Sequence, residues 1–176
     1  MGKRQIAKPL RVDCEFSAVS TSMVRREADG VWVTLKETIA AAAEEVFACF
    51  STPEGLTRWL SVGAELQAEP GGLMTLAWDR EFERTLSVRV RDYDANGRIT
   101  FDWFPDPLSE DCVPVQVTVA TEVEGGARVI LRQGPFKEDA DSLIAMADGA
   151  ESWRWYLCNL RSVLEMRHDM RALRPL

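Results

Sequence analysis

Trp153, Leu157, Leu160 and Leu164 recur at three- and four-residue intervals in the last third of the chain. On an α-helix that spacing puts all four side chains on one face, each a turn above the last. Such a stripe needs an apolar surface to receive it, and the sequence ahead of it supplies one. Residues 31–39 alternate Val31, Val33 and Leu35 with Trp32, Thr34 and Lys36, the period of a half-buried strand. Residues 73–78, 81–93, 98–104, 113–123 and 127–133 read as further strands, joined by short polar links. Asn96-Gly97 is a hairpin signal, and Gly71-Gly72 and Gly125-Gly126 are turns by composition.

Between the first strand and the rest, Glu44-Glu45-Val46-Phe47 opens a short helix with acids in its first turn. Thr52-Pro53-Glu54 breaks it and restarts a second one ending near Trp59-Leu60, with Pro53 where a missing N–H is tolerated. With Arg58 its one basic residue, this pair is not a DNA reader. From Glu138 the pattern is helical to about Arg171, with a potential interruption at Gly149. Hairpin-length links exclude a parallel α/β fold, whose neighbouring strands need long crossovers. The expected fold is therefore α+β: a curved antiparallel sheet of six or seven strands wrapped around one long C-terminal helix, with two short helices after the first strand.

A formal charge of −7 is unevenly placed, for residues 1–28 hold six Lys/Arg against three acids and the remainder carries −10. An acidic body repels phosphate backbones, so no nucleic-acid partner is expected. Residues 1–28 read as a flexible or loosely docked extension and residues 29–176 as the domain. No apolar run of signal-peptide or membrane-spanning length occurs, which predicts a cytoplasmic protein with no membrane partner. Cys14, Cys49, Cys112 and Cys158 lack the paired spacing of zinc sites and read as reduced thiols. His168, the one histidine, sits among Arg167, Asp169 and Arg171 as a solvated residue near a helix end. No metal and no cofactor are expected.

The order of elements resembles the helix-grip fold of the START-like (SRPBCC) superfamily. Glu44-Glu45-Val46-Phe47, Ser51-Thr52-Pro53-Glu54-Gly55-Leu56 with Trp59-Leu60, Gly71-Gly72, Phe101-Asp102-Trp103, and Trp153 with Leu157 and Leu160 are similar to the branch named after the heat-shock-protein ATPase activator. The chain departs from that branch at Ala41-Ala42, where members carry Ala-Pro, at Asp94-Ala95-Asn96-Gly97, where a proline pair is common, and at Ser152, in place of a glycine. The departures touch turns rather than core. The resemblance implies a space between sheet and helix, and does not carry over a chaperone role.

Strand parity turns Val88, Phe101, Trp103 and Val117 toward the helix, to meet Trp153 and Leu157, while Phe47, Phe50 and Trp59 close one end. These side chains either fill the core solidly or leave room for a small apolar or aromatic guest, held by area removed from water. Glu37 and Arg84 share the inward parity, as a salt bridge, as polar anchors for a ligand, or as strand-end residues reaching water. Trp155 lies about 200° around the helix from Trp153 and is free to meet another chain, so a homodimer is one expectation. The reading favoured is a carrier or sensor of a small hydrophobic ligand with no catalytic residues. A cyclase- or dehydratase-like enzyme, for which Glu37, Asp102 and Tyr156 are the nameable acids and bases, and a co-chaperone-like interaction module are the alternatives.

Overall fold

The computed structural model describes residues 23–104, 112–122 and 125–173. Eight antiparallel strands form one sheet: β1 (Val24–Glu27), β2 (Gly30–Ile39), β3 (Gly63–Leu66), β4 (Leu73–Ala77), β5 (Thr85–Asp94), β6 (Arg98–Trp103), β7 (Val113–Thr121) and β8 (Ala127–Phe136). Their spatial order is β1-β2-β8-β7-β6-β5-β4-β3, so the chain closes a long meander by laying its last strand beside β2. The helices are α1 (Ala43–Ser51), α2 (Pro53–Trp59) and α3 (Ala140–Met166), followed by a 3-10 turn, Met170–Leu173.

The α+β helix-grip architecture is thus the observed one, with eight strands rather than six or seven. The two additions are edge strands. β1 is exposed along its whole length and β3 spans only four residues, so neither carries the apolar alternation that reveals a strand in sequence. Pairing of Val24 with Val33 and of Glu27 with Gly30 places the end of the expected extension inside the sheet. The rest of that extension, with Cys14, lies outside the described residues, as does the 105–111 link.

The α1–α2 corner follows from its residues. The Thr52 hydroxyl accepts a 3.0 Å hydrogen bond from the Gly55 N–H and caps α2, and Pro53 takes the first helical position. Glycine at 55 is required by contact: a Cβ there would stand 1.9 Å from the Ala48 carbonyl oxygen. The Trp59 indole donates to the Cys49 carbonyl at 2.8 Å and locks the two helices together.

α3 begins at Asp139, whose carboxylate accepts from the Ser142 N–H at 2.8 Å, and runs unbroken through Gly149 to a left-handed cap at Arg167. Trp153, Leu157 and Leu160 are buried and Leu164 is half-buried. The far end of the helix is clamped to α2. Buried Asn159 donates to the Trp59 carbonyl at 2.8 Å and accepts from the Met170 N–H at 2.7 Å. Arg171 donates to the carbonyls of Ser61 at 2.6 Å and Thr57 at 2.9 Å. These bonds satisfy carbonyl oxygens at the end of α2 that have no partner within their own helix.

Candidate functional site

Strand register sorts the concave face into rows. Val33, Gln133, Val115, Phe101 and Val90 form one; Leu35, Leu131, Val117 and Ile99 form the next; Glu37, Val129 and Val119 the third. α3 lies over these rows, and an aromatic chain runs along it. Trp103 and Phe101 of β6 meet Trp153 at ring separations of 4.8 and 6.3 Å. Tyr156 stands 6.4 Å from Trp153 and 6.3 Å from Trp59, which packs edge-on against Phe50 at 4.9 Å. Phe101, Trp153, Trp59 and Phe50 are buried, while Trp103 and Tyr156 are half-buried, so the chain of rings reaches the surface.

Of the residues singled out in the sequence, the structure brings Phe50, Trp59, Phe101, Trp103 and Trp153 into this chain. Val117 and Leu157 are buried beside it, Val88 is buried opposite Met74 on β5, and Phe47 stacks on Tyr93 at 6.1 Å instead. Arg84 does not face inward. It precedes β5, is 62 % exposed, and donates to Asp79 at 3.4 Å and to the Trp78 carbonyl at 3.1 Å. Inward parity holds only within a strand, and Arg84 stands one residue before the strand begins. Three backbone and side-chain N–H groups of Glu83 and Arg84 converge on Asp79. Its desolvation works the other way, but these bonds hold its carboxyl below the usual range.

Glu37 does face the helix, and its partners are two arginines of α3. Arg154 and Arg161 each donate to its carboxylate at 3.2 Å, and Arg161 also donates to Glu165 at 3.0 Å. Glu165 accepts in turn from the Ala40 N–H, the chief cause of its depressed pKa, with Arg161 adding to it. Glu37 therefore pins the helix to β2. Asp102 points outward to an ion pair with Arg91, and half-buried Tyr156 packs among Trp59, Trp153 and Trp155. Burial pushes the Cys49 thiol up to about 11, with Glu45 adding and Arg58 subtracting, so it stays protonated and inert at neutral pH.

One functional candidate escapes the sequence reading. Gln133 is 1 % exposed on the concave face of β8, in line with Val129 and Leu131. Its Nε2 has no hydrogen-bond partner among the described residues, and neither does the Trp153 Nε1. Parity would have found Gln133, but Gly134-Pro135 immediately after it reads as the strand's end, whereas β8 continues to Phe136. Among the described residues, clefts of three kinds border α3. A largely apolar one of about 330 Å³ is lined by Val33, Met146 and Ala150 beside the Gln133 row. A charged one of about 570 Å³ lies by Glu37, Arg128 and Arg161. The third, about 540 Å³, runs along the outer face past Trp155, Tyr156 and Met170.

Residues 40–165 match the profile of the family described as Activator of Hsp90 ATPase homolog 1-like protein. The chain belongs to that family. The match takes in every element from α1 to nearly the end of α3, and leaves out β1 and β2. No curated protein matches in sequence. Among solved structures, a Staphylococcus saprophyticus protein, SSP2350, superposes with a TM-score of 0.66 at 21 % identity over 80 % of this chain and 96 % of its own. The Aha1 dimer from Colwellia psychrerythraea, a solution structure, gives 0.63 at 18 % identity over 77 % and 96 %. CalU16 from Micromonospora echinospora gives 0.63 at 15 % identity, covering 86 % of each chain. At these identities the likenesses speak to the fold alone. Among the described residues of this family member, no helix is long and apolar enough to cross a membrane.

Proposed function

We propose that this chain binds a small apolar or aromatic molecule between the concave face of its sheet and α3, acting as a carrier or sensor in the cytoplasm. The observation that supports the reading is the continuous run of packed rings from buried Phe101 and Trp153 to half-buried Trp103 and Tyr156, which carries aromatic surface from the interior to the exterior. A guest burying roughly 200 Å² of apolar surface there gains about 5 kcal/mol from leaving water. Phe50, Trp59, Val117 and Leu157 shape the walls. Arg84 is left out of the binding set because it is exposed and paired, and Glu37 is engaged by arginines of α3. DynU16, described as a putative protein in the dynemicin biosynthetic locus, and CalU16 share the fold.

The test is native mass spectrometry of the protein as isolated, followed by thermal shift against lipids, polycyclic aromatics and nucleotides. A co-purifying mass, or stabilisation by one apolar class of about 2.7 kcal/mol at a hundredfold excess over Kd, supports the reading. An empty protein that no apolar class stabilises overturns it. Turnover of the bound compound would convert the carrier into an enzyme.

A second reading is self-association through the outer face of α3, favoured by the cleft that Trp155, Tyr156 and Met170 line. The Colwellia psychrerythraea relative is described as a dimer. Sedimentation should show a dimer that Trp155→Glu dissociates; a monomer at all concentrations discards this reading.

A further inference from the structure

Two polar groups on the concave side of the interior stand out because, among the described residues, no hydrogen-bond partner meets them. Buried amide and indole N–H groups are almost always hydrogen-bonded, and leaving one unpaired is costly. Gln133 and Trp153, 1 % and 3 % exposed, nevertheless present Nε2 and Nε1 without a partner among the described residues. They belong to one neighbourhood. Gln133 lies in the row of Val115 and Phe101, and Phe101 touches Trp153. The Gln133 carboxamide also reaches α3 one turn before Trp153, where its Oε1 stands 3.3 Å from the place a Cβ would occupy on Gly149. Glycine is a poor helix former, and at 149 its missing side chain leaves the carboxamide space.

The geometry points to a site for a neutral carbonyl oxygen on an apolar ligand, held by Gln133 and the Trp153 indole N–H against the Phe101–Trp103 shelf. This assignment rests on the reading that the interior binds a small molecule, and names its chemistry. The indole N–H can only donate, so its complement is an acceptor. A carboxylate does not suit the position. The arginines of α3 nearest in sequence, Arg154 and Arg161, are engaged by Glu37, and a buried anion without a free counter-charge is strongly disfavoured. A ketone or quinone oxygen accepts two hydrogen bonds without bringing charge, and its ring fits the aromatic wall. The third unpartnered buried group, the Ser61 hydroxyl, follows α2 and lies in the clamp held by Arg171.

The experiment uses the full chain and two matched pairs of probes, fluorenone with fluorene and benzophenone with diphenylmethane, each differing by one carbonyl. Calorimetry should give roughly tenfold tighter binding for the ketone of a pair, the worth of one to two net hydrogen bonds. The Trp153 indole N–H resonance, assigned with Trp153→Phe, should move downfield with the ketone and not with the hydrocarbon. In Gln133→Leu the ketone preference should fall to about threefold or less while hydrocarbon affinity is kept, since the variant removes an unpaired group rather than a bond. Should that variant not fold, loss of the preference in Trp153→Phe serves in its place. Equal affinity within a pair overturns the carbonyl assignment and leaves the apolar-ligand reading standing. A preference that survives Gln133→Leu unchanged also overturns the assignment. Binding of neither member of either pair, together with an empty protein as isolated, overturns both.

Discussion

Replacing Gly55 by alanine should reverse the usual sign of a glycine-to-alanine change in a helix. By propensity alone the substitution stabilises by about 1 kcal/mol. Here the new Cβ would fall 1.9 Å from the Ala48 oxygen, 2.6 Å from the Ala48 carbonyl carbon and 2.7 Å from the Cys49 Cα. All three are backbone atoms of α1, so no side chain can turn aside and α2 must move. Movement strains the bonds that converge on α2 and its end: Trp59 to the Cys49 carbonyl, Asn159 to the Trp59 carbonyl, and Arg171 to the carbonyls of Thr57 and Ser61. At about 1 kcal/mol per bond, losing most of these and recovering the propensity leaves a net cost of roughly 2–3 kcal/mol. For a chain of this length that lowers Tm by about 5–10 °C. Gly149→Ala is the internal comparison, because its Cβ meets only the movable Gln133 Oε1 at 3.3 Å. It should retain most of the propensity gain, so that urea denaturation separates the two variants by about 3 kcal/mol. A Gly55→Ala protein as stable as the wild type would refute the packing argument for the α1–α2 corner.

Glu37→Gln should lower stability by about 1 kcal/mol, because the Arg154 and Arg161 guanidinia are about half exposed, and the loss should shrink at high salt; an effect indifferent to salt would mean the carboxylate acts by packing alone. Burial raises the pKa of Asp169, but the hydrogen bonds from Arg171 and Asn159 outweigh it and hold the carboxyl below its ordinary value. Its stabilisation is therefore present above the ordinary carboxylate pKa of about 4 and is lost as pH falls through the lower folded value, so Tm should drop on acidification, and less steeply in Asp169→Asn. Parallel slopes for the two proteins would remove Asp169 from that account. Iodoacetamide at pH 8 should label exposed Cys158 and spare Cys49, whose thiol burial pushes up to about 11; peptide mapping that finds Cys49 modified in the folded protein would contradict its burial.

The legible parts of this chain were those with a short physical period. Alternation at residues 31–35 and 113–119 disclosed β2 and β7, the three-and-four spacing of Trp153, Leu157 and Leu160 disclosed the buried face of α3, and Thr52-Pro53 disclosed the break between α1 and α2. β1 was not legible, since an exposed edge strand has no face whose burial must be encoded, and β3, though half-buried, is too short at four residues to display a period. Arg84 was misplaced because parity cannot say where a strand starts, and Gln133 was passed over because Pro135 sits within a strand that carries on.

What the sequence by itself determined was the existence and type of every α-helix and strand except β1 and β3, and which face of each is apolar, because both follow from local sterics and from the periods of helix and strand. Only the tertiary structure decided who meets whom across long separations. Glu37 found Arg154 and Arg161 on α3 rather than Arg84, Asn159 found the end of α2, and Gln133 came to lie beneath Gly149 with its Nε2 unpaired among the described residues. Those meetings depend on how far the sheet curves and where the helix comes to rest upon it. That is a collective outcome of packing, with no signal in any one stretch of chain.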